Sequence, residues 1–309
     1  MRVSELTREL TAPPPAPVDD DVRHRIRDRL VSGVRPAADQ LPPGEHVLVT
    51  LQVLRQARTR PELLAGPEEP FAWKPLFVRR SLGLAIVDAC VTGRFHTPLE
   101  AAGPLADEAV AGWNRTGWRT FHWEPWFAGL ADGARAAVLA EAVSWATSLW
   151  TALEWRALAS LPQVGGVDDQ WSCPASRAVR IKGRSELRVA LAPDEAWESH
   201  RARAGARRHP EESGRLHRPV ALVSMSGGRP GSSWADELAF LALAAGLRSP
   251  SRPVPARVVG LWPDSGLHGT VEVSADILAA AADRVVSTVG LVVDARLSVA
   301  SVADPVGGG

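Results

Sequence analysis

The sequence predicts a mixed α/β protein with a Trp-rich helical part ahead of the α/β core, and three observations carry that prediction. Up to about residue 165 apolar side chains recur at three- and four-residue intervals. From Val179 the interval becomes two, with Val179, Ile181, Leu187, Val189 and Leu191 on one face and Arg180, Lys182, Arg184, Glu186 and Arg188 on the other. Past Val220, strand-length apolar runs alternate with helix-length ones. These shifts divide the chain into a flexible lead-in with short helices over 1–44, a helical part over 45–165, the core over 166–302 and a disordered tail over 303–309. A chain of 309 residues can bury a sizeable core.

A short polar helix is expected at the start, then the linker TAPPPAPVDD, then a helix over Asp20 to Val34. The acidic opening of that helix suits a helix N-terminus, and Val22, Ile26 and Leu30 give it one apolar stripe. Val47, Val49, Leu51 and Val53 alternate, yet Thr50 is an acceptable N-cap, so an extended entry followed by a helix from Leu51 is expected. Further helices are expected over Val78 to Val91, near Pro98 to Trp113, and over Ala134 to Leu161. Seven tryptophans fall between Trp113 and Trp155. They read as packing for a helical core, with base stacking or partner anchoring as the functional alternative.

The Val179 to Leu191 stretch is a half-buried strand or a tight hairpin bending at Gly183. Residues 198 to 218 hold six Arg and three His without an apolar stripe, so they form a loop: a phosphate-gripping arm or a solvated insertion. Val220 to Ser224 is a buried strand, Ala235 to Leu247 a buried helix, and Val254 to Trp262 a further strand. Thr270 to Val273 can pair with that strand, and Ser274 caps a last helix running through Val289.

Composition narrows the function classes. Lys+Arg and Asp+Glu both number 35, so contact with phosphate must come from a local patch. Only Lys74 and Lys182 are lysine, which rules out a phosphate loop of the GxxxxGK[ST] kind. Cys90 and Cys173 stand apart, without ligand spacing for zinc or an iron–sulfur cluster. MRVSELTREL lacks the apolar run of a signal peptide, and Leu238 to Leu247 is about half the length of a bilayer crossing. A cytoplasmic protein with no membrane partner is expected. Ser226-Gly227-Gly228 lacks the preceding glycine of a nucleophile elbow. His122 lies beside Glu124 in sequence and reads as a packed loop histidine.

Three segments in order carry a resemblance: Gly183-Arg184-Ser185-Glu186, then Ser224-Met225-Ser226-Gly227-Gly228-Arg229-Pro230, then Asp236 or Glu237 with Phe240. Together, from Val179 to about Trp262, they resemble the PD-(D/E)XK nuclease superfamily in its RecB-like branch. In such nucleases a Gly-Arg-apolar-Asp strand supplies one metal-binding carboxylate, the next strand ends in Asp-x-Lys, and a helix with Gln and Tyr on one turn follows. Upstream the family often places a histidine four residues after a helical glycine. Gly83 matches that glycine, Val87 stands at the histidine position, and His96 is a looser candidate.

The resemblance implies a restriction-endonuclease-like core and a site for Mg or Mn, whose bound water attacks the phosphodiester. The second acid aligns with Ser224 and the lysine with Ser226, so only Glu186 remains as a metal-binding carboxylate. A serine hydroxyl is a poor ligand and no base at neutral pH. Flanked by Arg184 and Arg188, Glu186 also reads as an ion-paired surface residue.

The leading expectation is a degenerate, non-catalytic nuclease-like protein, without cofactor, that serves as an interaction or nucleic-acid-associated module with DNA or a DNA-processing protein as partner. Contact with nucleic acid would fall to Arg184, Arg201, Arg203, Arg207, Arg208 and Arg215. The alternative is an active Mg- or Mn-dependent nuclease whose relocated site uses Glu186 as metal ligand, Lys182, and Asp236 or Glu237. A third reading is a structural or regulatory protein that docks through its Trp-rich half.

Overall fold

A computed structural model describes residues 3–66, 72–111, 123–158, 163–175, 177–192, 219–248 and 252–303. A mixed sheet of six strands lies between two layers of helices. Strands β2 (Gln163–Ser172), β3 (Val179–Ala190) and β4 (Val220–Met225) form an antiparallel meander. Helix α8 (Trp234–Arg248) then returns the chain so that β5 (Arg257–Trp262) lies parallel to β4. That order fits a parallel pair, which needs a long crossover. Antiparallel β6 (Leu267–Glu272) follows β5 in the sheet.

Short β1 (Val47–Val49) pairs parallel with Val179 to Ile181, while β4 pairs with Leu187 to Ala190. Because β2 covers the other edge of β3, β1 and β4 share one edge of that long strand, at opposite ends. Helix α3 (Leu51–Thr59) starts right after β1, and the Thr50 hydroxyl accepts the Val53 N–H at 3.3 Å, the cap read from sequence.

One core lies beneath α2 (Asp20–Ala38), α8 and α9 (Ala275–Ala303). Within it Ile26, Leu30 and Val34 carry the four-residue stripe of α2 against α9. The other core lies beneath α4 (Pro75–Val91), α5 (Pro98–Ala111), α6 (Glu124–Ala128) and α7 (Asp132–Ala152). There α4 and α7 cross closely at Gly83, where a Cβ would stand 2.6 Å from the Trp145 ring. Packing therefore accounts for Gly83, and four residues on Val87 is fully buried.

Several expectations need correction. The lead-in over 1–44 is fastened to the body, since Leu6 and Leu10 of α1 (Val3–Thr11) have no exposed surface. The Thr7 hydroxyl accepts the Glu154 N–H at 2.9 Å, and the buried Arg257 guanidinium donates to the carbonyls of Glu9 and Pro13. No hairpin forms at Gly183, because β3 runs unbroken for 12 residues. Helix α7 ends at Ala152, earlier than expected, and α9 continues well past Val289. The disordered tail expected over 303–309 lies, beyond Ala303, outside the described residues, as does the arginine-rich stretch 198–218.

Candidate functional site

Strand β3 brings the family-like acid to the middle of the protein. Glu186 has no exposed surface, so its charge must be answered inside. One carboxylate oxygen, Oε2, accepts the Met225 N–H of β4 at 2.7 Å. The other, Oε1, is in contact with the Arg80 guanidinium of α4. Glu186 is therefore not the surface residue paired with its strand neighbours that the sequence suggests. The strict alternation assumed for β3 also fails, since Ser185, Glu186 and Leu187 are buried in succession. Ile181 packs on the α8–α9 side and Leu187 on the α4–α7 side, and the break coincides with irregular β2–β3 pairing between Val164 and Val167.

Arg80 is held at a cost. Its side chain keeps 34 % of its surface, yet Nε is enclosed and unpartnered. Burial, together with the fields of Arg184 and Arg55, pushes the guanidinium down to about 10, and Asp168 offsets part of this. It remains charged at neutral pH. Cations from α3, α4 and β3 thus act on one another beside a single buried acid.

The positions aligned with the family's second acid and lysine are closed in. Ser224 is buried, and with Ser226 it borders a space of only about 10 Å³ between Arg55, Glu237, Trp234 and Trp262. That volume holds at most a single water. The Gly227-Gly228 turn has a structural role: Gly228 adopts φ +75°, and its N–H donates to Asp264 Oδ2 at 2.7 Å.

Lys182 does not face a reaction centre; its Nζ lies 3.2 Å from Asp168 Oδ2 on β2. The neighbouring Asp169 is buried and bound by Arg188 at 3.1 Å and by Arg248 of α8 at 3.0 Å. Sequence reading missed both acids because QVGGVDDQWS has glycines and acids where a strand pattern would be apolar. The available signal was Asp-Asp ahead of a strand whose polar positions are nearly all cationic.

The acids of the active alternative are also committed. Glu237 pairs with Arg55 at 2.5 Å, while Asp236 pairs with Arg284 at 2.7 Å and Arg58 at 3.5 Å. These pairs rim a cleft of about 370 Å³ floored by Phe240. Lys182, Glu186 and Asp236 thus belong to three separate ion-pair groups. Arg184 lies beside Arg80, whereas Arg201, Arg203, Arg207, Arg208 and Arg215 lie outside the described residues, as does His122. His96 instead borders a large cleft in the helical half.

Among the described residues, no group of three His, Cys, Asp or Glu side chains is placed to hold a metal ion. The donor set around Glu186 does not fit Mg or Mn: Oε2 accepts the Met225 N–H, the Arg80 guanidinium abuts Oε1, and serines stand where further acids would be needed. The tryptophan-rich stretch forms no exposed aromatic patch among the described residues. Trp123 is buried, and Trp126, Trp145, Trp150 and Trp155 pack half-buried against the core. Trp113 and Trp118 lie outside the described residues. No described helix is long and apolar enough to cross a membrane.

No family model matches the chain, and neither a curated protein nor a solved structure resembles it significantly.

Proposed function

We propose that the chain is a degenerate, non-catalytic PD-(D/E)XK nuclease-like protein acting as an interaction or nucleic-acid-associated module. The observation that carries this reading is the closure of Glu186 by Arg80 and the Met225 N–H. A guanidinium tethered on α4 supplies the positive charge that a metal would otherwise bring to the acid. The meander β2–β3–β4, continued through α8 to β5, is compatible with a restriction-endonuclease-like core. Arg184 on β3, close enough to Arg80 for their charges to act on one another, offers positive charge for a phosphate backbone.

The test incubates the full chain with linear duplex and single-stranded DNA in the presence of Mn²⁺ or Mg²⁺. No cleavage is expected, and DNA binding should weaken with salt and lose part of its salt slope in Arg184→Ala. Metal-dependent cleavage that disappears in Glu186→Ala overturns the proposal.

A further inference from the structure

The helical half contains a cleft of about 1050 Å³ between the C-terminal ends of α4 and α7. Its walls are the half-buried Phe95, Trp150 and Trp155, and the two indoles stack at 5.1 Å with 18° between planes. The Trp155 Nε1–H donates to the Trp150 carbonyl at 2.8 Å, which fixes the ring with one face against the Trp150 indole. His96, Glu154 and Arg156 stand exposed at the rim. None of these three side chains has an ion pair or side-chain hydrogen bond among the described residues.

The chemistry of this lining selects the occupant. Aromatic walls with a few convergent polar groups characterise small-molecule sites. The rim has no dominant sign: Arg156 is cationic, Glu154 is anionic, and two helix C-termini add partial negative charge. A purely apolar ring would leave Glu154 and Arg156 unused, and a simple ion would leave the indoles unused. A flat ring with donors on one part of its edge and acceptors on another satisfies both: its face stacks on tryptophan, its N–H groups reach a carboxylate, and its carbonyl or ring nitrogen accepts from a guanidinium.

We infer that this cleft binds a planar heteroaromatic ring of purine size, with Trp155 as the stacking wall and Arg156 and Glu154 reading its edge. The ring can belong to a free nucleoside or to an unstacked base of a single strand. The inference does not depend on whether the Glu186 region has lost catalysis.

Saturation-transfer NMR and calorimetry on the full chain test it with guanosine, a guanine-containing single-stranded hexamer and 1-naphthol. Saturable guanosine binding is expected, about tenfold weaker in Trp155→Leu, as the loss of one base-stacking contact implies. Arg156→Ala, at an exposed position that cannot disturb the core, should weaken guanosine more than naphthol. Hexamer binding much tighter than guanosine, with the same sensitivity to both substitutions, assigns the base to a strand; equal affinities assign it to a free nucleoside. Absence of guanosine binding, binding indifferent to both substitutions, or naphthol binding as tightly as guanosine overturns the inference. DNA cleavage overturns the reading of Glu186 and leaves this one standing, so the two failures are distinguishable.

Discussion

Removing Arg80 exposes the energetic logic of the site. In Arg80→Ala the fully buried Glu186 carboxylate keeps a single hydrogen bond, from the Met225 N–H at 2.7 Å. A buried charge stripped of its partner typically costs about 3–5 kcal/mol, a large share of the roughly 5–15 kcal/mol that holds a domain together. Glu186→Gln is milder, since the amide carbonyl still accepts from Met225 and Arg80 can turn toward solvent through the 34 % of its side chain that is open. A loss of about 1–2 kcal/mol is expected there. The double variant Arg80→Met with Glu186→Leu should be more stable than the summed losses of Arg80→Met and Glu186→Leu made singly predict, because neither charge is stranded. Urea unfolding at neutral pH, with the slope checked for constancy, measures all of these. Single losses below about 1 kcal/mol that simply add are the signature of a surface pair and would refute the buried-pair argument.

Three further predictions concern the frame around the site. Gly183→Ala places a Cβ 2.8 Å from Ala244 Cβ and 3.3 Å from Leu241 Cδ2, so β3 and α8 must separate; a loss of about 1–3 kcal/mol in urea unfolding is expected, partly restored by adding Ala244→Gly. Burial, reinforced by the charge of Glu100, pushes the Cys90 thiol up to about 11; alkylation of the native protein at mildly alkaline pH should spare Cys90, and rapid labelling would contradict its placement. Burial works to raise the Glu9 carboxyl, but hydrogen bonds from Thr270 and His268 outweigh it and leave the group below its ordinary 4.5. The stability it contributes is present above that value and is lost as pH falls through the folded pKa, so proteolysis of α1 should increase as pH falls below about 4.5, and less so in Glu9→Gln.

Local signals in the sequence foretold local structure well. Thr50 caps α3 and Ser274 caps α9, with the Ile277 N–H donating to the Ser274 hydroxyl at 3.3 Å, because caps depend on residues two or three positions apart. The apolar runs of β4, β5 and α8 were equally legible, since each is buried nearly throughout. Strand β2 was illegible because its acids are paid for by partners on other elements: Lys182 and Arg188 on β3 and Arg248 on α8. Gly183 suggested a bend, yet it permits close approach of α8 to a continuous strand. For Glu186, neighbours in sequence suggested Arg184 and Arg188, whereas the partner comes from α4, which no pattern along β3 announces.

The ion pairs share one property that bears on function. Arg80 ties α4 to β3, Arg248 ties α8 to β2, Arg55 ties α3 to α8, and Arg29 ties α2 to α9 through Asp283. Apolar packing alone tolerates repacking at constant volume, while a charge pair has one satisfied geometry. Such pairs need add little net stability to fix where helices sit over the sheet. On this argument the positive groups at β3 fall into two classes. Arg80 is spent on position, so its removal should lower stability and DNA binding together. Among the described residues Arg184 has no acid partner of its own and is coupled to Arg80 only through their like charge, so Arg184→Ala should weaken DNA binding while leaving the unfolding midpoint unchanged or slightly raised. Equal losses of stability in the two variants would place both arginines in the frame and remove Arg184 from the proposed phosphate contact.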